Sequence, residues 1–281
     1  MKTLFVLSIT LSCAFAKSLP HPFLNYHEEV GIPFANRLKQ IELASDFDGS
    51  RIVGGEFAPL GAYPHMAGLV IPMPTGHTSA CGGSLISNTR ALTAAHCWIR
   101  ATRMTVVLGS TTLFYGGVRV DTSTVILHGG WDMTKGLEND IAVIVMPWVG
   151  FNSFIQPINL YTATNDLTGS WVTAAGYGRT GDSAVLQPDQ SLKHFTTQVI
   201  SNDECRARLG TMVVHSNICI RSGSNNDNVC NSDSGGPLTI GVGRNAFLIG
   251  VLSFGSGRCE RGDPAAFARV SYYAPWIRAH M

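Results

Sequence analysis

An apolar run from Leu4 to Ala14 opens the chain, preceded by Lys2 and followed by Ala14-Phe15-Ala16, small residues at the spacing that signal peptidase reads. Residues 1–16 are therefore read as a signal peptide. A membrane anchor needs about 20 apolar residues to cross the hydrocarbon, whereas this run is shorter and meets Lys17 and Pro20. Residues 17–51 mix charged and polar positions with scattered Pro and Gly, and end in Asp46-Phe47-Asp48-Gly49-Ser50-Arg51. That pattern predicts an exposed, cleavable segment. After Ile52-Val53-Gly54-Gly55, strand-like runs recur between turn signals: Thr105 to Leu108, Val118 to Leu127, Asp140 to Met146, Trp171 to Ala175, Phe195 to Ile200 and Phe247 to Phe254. Their spacing suits a barrel or sandwich. Tyr273 to Met281 predicts a short terminal helix with Trp276 and Ile277 on its apolar side. No repeat and no low-complexity tract interrupts the chain, which argues against a solenoid.

Composition sharpens this picture. Thirty glycines and thirteen prolines in 281 residues imply many turns and short strands, so an all-β fold is expected. Twenty basic against nineteen acidic residues, a net charge of +1, leave no surplus to attract phosphate or an anionic bilayer. Nucleic acid and membrane are not expected as partners. Removing Cys13 with the signal leaves Cys81, Cys97, Cys205, Cys219, Cys230 and Cys259, an even set that fits an oxidised, secreted framework. The competing zinc reading lacks paired C-x-x-C and H-E-x-x-H spacing. Neither a metal nor a cofactor is expected.

Three clusters carry the chemistry together: Thr93-Ala94-Ala95-His96-Cys97, Asn139-Asp140-Ile141-Ala142 and Asn231-Ser232-Asp233-Ser234-Gly235-Gly236-Pro237. Alone, a histidine is usually structural, an aspartate a cap or ion pair, and a serine between glycines a turn. In chain order they supply a base, the carboxylate that orients it and a nucleophile, which acyl transfer through an activated hydroxyl requires.

With Arg51-Ile52-Val53-Gly54-Gly55, Ala95-His96-Cys97, Asp140-Ile141-Ala142 and Asp233-Ser234-Gly235-Gly236-Pro237, the sequence resembles the trypsin and chymotrypsin family of serine endopeptidases. The pre-segment and Pro264-Ala265-Ala266-Phe267-Ala268-Arg269-Val270 look most like insect digestive chymotrypsin-like and collagenase-like zymogens. The resemblance implies two orthogonally packed six-stranded antiparallel β-barrels with a short C-terminal helix, and a protease domain over residues 52–281 behind an activation propeptide, residues 17–51. It assigns His96, Asp140 and Ser234 as the triad, and the backbone N–H groups of Ser232 and Ser234 as the oxyanion hole. Ser232 departs from the family's usual Gly, so the aim of its N–H depends on whether serine tolerates the backbone there. The sequence alone leaves many cysteine pairings open; the resemblance implies Cys81 with Cys97, Cys205 with Cys219 and Cys230 with Cys259. With no cysteine in residues 17–51, no disulfide can tether the propeptide after cleavage.

Cleavage after Arg51 would create an ammonium on Ile52 that, by the same resemblance, inserts beside Asp233. The same resemblance implies a pocket floor at Asn228, with Gly255 and Ala265 on the walls and Ser253, Phe254 and Gly255 pairing with substrate backbone. Asn228 offers no charge to a buried Lys or Arg, so cleavage after neutral apolar or aromatic residues is expected. Asp227 and Asp263 lie close in sequence to pocket positions, and Ala265 replaces a common Gly, which narrows the slot. The expected partners are protein or peptide substrates, an activating trypsin-like protease and protein protease inhibitors. A monomer working outside the cell, in a gut lumen, is the setting implied. The alternative is a catalytically impaired homologue serving as a binding or regulatory protein, for which Ser232 is the sole motive.

Overall fold

Why the fourteen short strands among the described residues close into two barrels follows from where their apolar residues point. The computed structural model describes residues 25–44, 58–132, 134, 136–178, 192–222, 233–256 and 262–281. In the first half of the chain the strands are β1 (Met66–Pro72), β2 (Thr78–Ser87), β3 (Arg90–Thr93), β4 (Met104–Leu108), β5 (Val118–Thr122), β6 (Thr124–Leu127) and β7 (Ala142–Val145). They pair in the order β5-β4-β1-β2-β3-β7-β6. Since β5 and β6 are two halves of one strand broken at Ser123, this sheet closes on itself with six effective strands. Closure leaves no long unpaired edge.

The second half contributes β8 (Asn159–Leu160), β9 (Trp171–Gly176), β10 (Lys193–Ile200), β11 (Asn217–Ile220), β12 (Pro237–Ile240), β13 (Phe247–Phe254) and β14 (Ala265–Arg269). Here the order is β12-β9-β10-β11-β14-β13, and a further β12–β13 pairing closes the ring, with β8 added in parallel beside β13. All other pairings are antiparallel. The expected all-β, two-barrel, six-stranded fold is what the chain adopts.

Alternation along the strands builds the cores. Leu69, Ile71, Leu85, Val106, Leu108 and Ile144 fill the first barrel; Val172, Val199, Ile218, Leu238, Ile249 and Phe267 fill the second. Leu92 and Val143 of the first barrel meet Leu248, Val251 and Ala268 of the second in a shared cluster, which also takes Tyr273 and Ile277. Those two belong to the terminal helix, Val270–Ala279, which starts three residues before its expected onset.

One expectation fails. Part of the 17–51 segment is not simply exposed but helical with one side buried: a π-helical turn, His27–Gly31, runs into α1, Ile32–Ala44. Phe34, Ala35 and Leu38 bury themselves among Met66, Val70, Val107, Leu113 and Tyr177 on the outside of the first barrel. This is why β1 is buried on both faces: Leu69 and Ile71 point inward, while Met66 and Val70 point out beneath α1. Helix α1 is pinned at its end by Glu42, whose carboxylate accepts the N–H groups of Leu113 at 2.8 Å and Phe114 at 2.7 Å. The remaining helix, α2, spans Asn202–Leu209 and is capped by the Ser201 hydroxyl, which accepts the Glu204 N–H; the terminal helix is α3.

Candidate active site

His96 sits in a single 3₁₀ turn, Ala95–Trp98, directly after β3. Asp140 immediately precedes Ile141 and β7, which is antiparallel to β3, so the two residues are neighbours across the end of the ladder. The Asp140 carboxylate takes the His96 backbone N–H on Oδ1 at 2.9 Å and engages Nδ1 of the ring through Oδ2 at 2.8 Å. A third donor arrives from the other barrel: the Ser253 hydroxyl donates to Oδ2 at 2.6 Å. Both Asp140 and His96 are buried, so these contacts act in a low-dielectric surrounding where they hold geometry strongly. An imidazole whose Nδ1 faces a carboxylate is fixed in the tautomer whose Nε2 can take a proton.

The backbone around Asp140 is special. Asn139 adopts φ +63°, a left-handed conformation that asparagine tolerates better than most residues. Its N–H donates to the Tyr273 hydroxyl of α3 at 3.0 Å, so the terminal helix steadies the turn that delivers Asp140.

Ser234 lies on a turn between the barrels. Its carbonyl accepts the Gly82 N–H of β2 at 2.8 Å, and Gly235, at φ +83°, donates its N–H to Leu252 of β13 at 2.8 Å. A Cβ on Gly235 would fall 2.2 Å from the Thr93 hydroxyl, and one on Gly82 would fall 2.9 Å from the Gly236 Cα. The glycines after Ser234 thus allow the turn to press against the first barrel, close to the His96 strand. Asp233 points the other way. Its Oδ1 accepts the Gly178 N–H at 2.7 Å, and a Cβ on Gly176 or Gly178 would lie 1.9 Å or 2.3 Å from its carboxylate oxygens.

Two of the three implied disulfides are formed, Cys81–Cys97 and Cys205–Cys219. The first ties the residue after His96 to β2. Cys81, His96 and Cys97 come close enough to suggest a metal site, but both sulfurs are spent in the disulfide. Ser253 and Phe254 end β13, Gly255 follows it exposed, and Ala265 opens β14 buried. Asp263 is buried and faces Arg208 of α2 at 4.0 Å. Arg51, Ile52, Asp227, Asn228, Cys230, Ser232 and Cys259 lie outside the described residues.

An unexpected occupant completes the site. Tyr26, 4% exposed, stands edge-on to the His96 ring with centroids 4.6 Å apart. Its hydroxyl donates to the Ala80 carbonyl at 2.9 Å and lies 3.4 Å from the Cys81 sulfur. Burial pushes the Tyr26 phenol well above its ordinary range. Its neighbour His27 shares a 2.7 Å hydrogen bond between Nδ1 and the Ser79 hydroxyl. Burial, aided by the nearby His96, pushes His27 down to about 4. Sequence reasoning missed Tyr26, the Ser253 hydroxyl on Asp140, and Gly176 and Gly178 around Asp233. Of these, the two glycines, flanking Tyr177 at the end of a strand, had the clearest local signal.

Comparison with known proteins agrees with this geometry. The trypsin family model matches residues 52–277. A collagenase of Hypoderma lineatum is 37% identical over 233 residues, covering 81% of this chain and 86% of that protein. Brachyurin of Leptuca pugilator is 38% identical over 236 residues, covering 81% of this chain and 97% of its own length. The solved structure of HL collagenase superposes with a TM-score of 0.72 at 36% identity, over 82% of this chain and 98% of that one. With the family model spanning most of the chain and relatives this similar on both sides of it, the protein belongs to the trypsin family and is a serine endopeptidase.

Proposed function

We propose that this protein is a secreted digestive endopeptidase made as a zymogen, in which Ser234 attacks the scissile carbonyl, His96 takes its proton and later delivers it to the leaving amine, and Asp140 steadies the imidazolium. The observation that carries the reading is the Asp140 carboxylate, buried between the His96 N–H, the His96 ring and the Ser253 hydroxyl. Such a carboxylate is built to orient a base. It is supported by Ser234, held on a glycine turn against the strand that leads to His96. In this reading the N–H groups of Ser232 and Ser234 receive the oxyanion, and a third disulfide, Cys230–Cys259, joins the Ser234 loop to the pocket wall.

Cleavage after Arg51 would free the Ile52 ammonium to pair with Asp233, whose carboxylate is seated against Gly176 and Gly178. Asn228 on the pocket floor, between Gly255 and Ala265, would favour cuts after Phe, Tyr, Leu or Met. Digestion of the purified chain with trypsin, followed by profiling on a mixed peptide library, tests all of this. The wild type should gain activity together with a new Ile52 N-terminus. Ser234→Ala should lose at least about a thousandfold in kcat. Equal activity in Ser234→Ala would overturn the mechanism, and a library dominated by cuts after Arg would overturn the pocket assignment.

A further inference from the structure

Resting on that reading, we propose that residues 25–44 are a folded inhibitor of the enzyme, which plugs the catalytic cleft with Tyr26, stays bound after the cut at Arg51, and must itself be removed before activity appears. The segment lies outside the residues matched by the family model, so what it does has to be read from its own contacts.

Three observations converge. The first is position. A working base must reach its substrate, yet His96 is 0% exposed with Tyr26 against its ring, and Ser234 is only 9% exposed. A substrate approaching the His96 ring has to displace that tyrosine. The second is attachment. Tyr26 is anchored to Ala80, His27 to Ser79, and Glu28 to Arg100 at 3.2 Å, all three flanking the His96 turn or the strand disulfide-bonded to it. Gly31 allows the chain to pass so close to β2 that a Cβ there would meet the Ser79 hydroxyl at 1.9 Å. The third is α1, which gives the plug a grip of its own through Phe34, Ala35, Leu38 and the Glu42 carboxylate. None of these contacts involves residues 45–51, so a cut at Arg51 removes none of them.

The occupant of the apolar groove on the first barrel is therefore this chain's own segment, first in cis and then as a bound peptide. How it would be removed is also visible. Arg37 and Lys39 lie on the exposed side of α1. A protease that cuts after basic residues severs the helix there, a cut after Arg37 separating the Tyr26 plug from both its Leu38 and Glu42 anchors and a cut after Lys39 separating it from Glu42.

The full chain carrying Arg37→Gln and Lys39→Gln, cut at Arg51 with trypsin, tests the proposal. The segment should co-elute with the protease domain on gel filtration, and the peptide-hydrolysis rate should be at least tenfold below that of the same cut chain with Tyr26→Ala added. Leu38→Ala, in place of Tyr26→Ala, should release the segment and restore the rate likewise. A cut double variant that hydrolyses peptide as fast as its Tyr26→Ala counterpart overturns the inhibition, whether or not the segment co-elutes. Absence of hydrolysis in every form, the wild type with its segment trimmed included, would instead sink the protease reading and with it the inhibition.

Discussion

Mild acid should weaken the His27 share of prosegment docking. His27 docks as a neutral ring, buried against Ser79 and Tyr26, and burial together with the nearby His96 holds it down to about 4 from an ordinary 6.5. Glu28 and a backbone hydrogen bond with Ile99 oppose that shift, and Arg100 adds to it. A base whose pKa falls on docking binds protons better when free, so docking is at full strength above 6.5 and weakens as pH falls toward 4. At pH 5.5 the free form gains a factor of about ten over the docked form, against almost none at pH 7.5, which is about 1.4 kcal/mol. Glu42 works in the opposite direction, since burial raises its carboxyl when docked and docking then takes up a proton as pH falls. The two contributions are separable. Binding of a labelled peptide of residues 25–44 should be followed by anisotropy on the Ser234→Ala chain, cut at Arg51 and stripped of its own segment. From pH 7.5 to 5.5 the wild-type peptide should lose about tenfold more affinity than one carrying His27→Asn, which keeps a polar partner for Ser79 without the titration. Equal pH slopes for the two peptides would refute the buried, neutral His27.

Other consequences are more local. Ser253→Ala removes the 2.6 Å donor on Asp140 from across the barrel interface, and hydrogen bonds to charged groups are worth about 1.5–3 kcal/mol, so kcat should fall about tenfold or more with KM little changed; an unchanged kcat would show that the ring and backbone contacts suffice. Gly178→Ala should abolish activity and lower Tm, because its Cβ would sit 2.3 Å from Asp233, whereas Gly76→Ala, with open space around it, should show only the cost of φ +84°, about 1–2 kcal/mol. His65 is buried inside the protease domain and pushed down to about 4 by that burial, so folding stability should fall as pH drops from 6.5, reaching a loss of about 3 kcal/mol near pH 4. Chemical denaturation of His65→Gln should lack that part of the slope.

The sequence by itself determined the all-β class and where many of the strands lie, while the two barrels and the candidate chemistry came from its family resemblance. Strand runs alternate or stay apolar over short lengths, which is a local signal; Phe247 to Phe254 matches β13 end for end, and Val118 to Leu127 is β5 and β6 with a break at Ser123. Glycines that a turn requires, such as Gly235, are equally local. What tertiary structure alone decided is pairing and burial. The Ser253 hydroxyl meets Asp140 across more than a hundred residues, and no spacing along the chain encodes that approach. Helix α1 shows the same limit more sharply. Its buried stripe is thin, Phe34, Ala35 and Leu38, with a charged Glu42 continuing the face, so the segment reads as polar and exposed. Only the outward-pointing Met66, Val70 and Val107 of the first barrel, and the Leu113 and Phe114 amides that receive Glu42, make that stripe sufficient. A helix that cannot bury enough surface alone is stabilised by the surface it lands on, which a one-dimensional pattern does not contain.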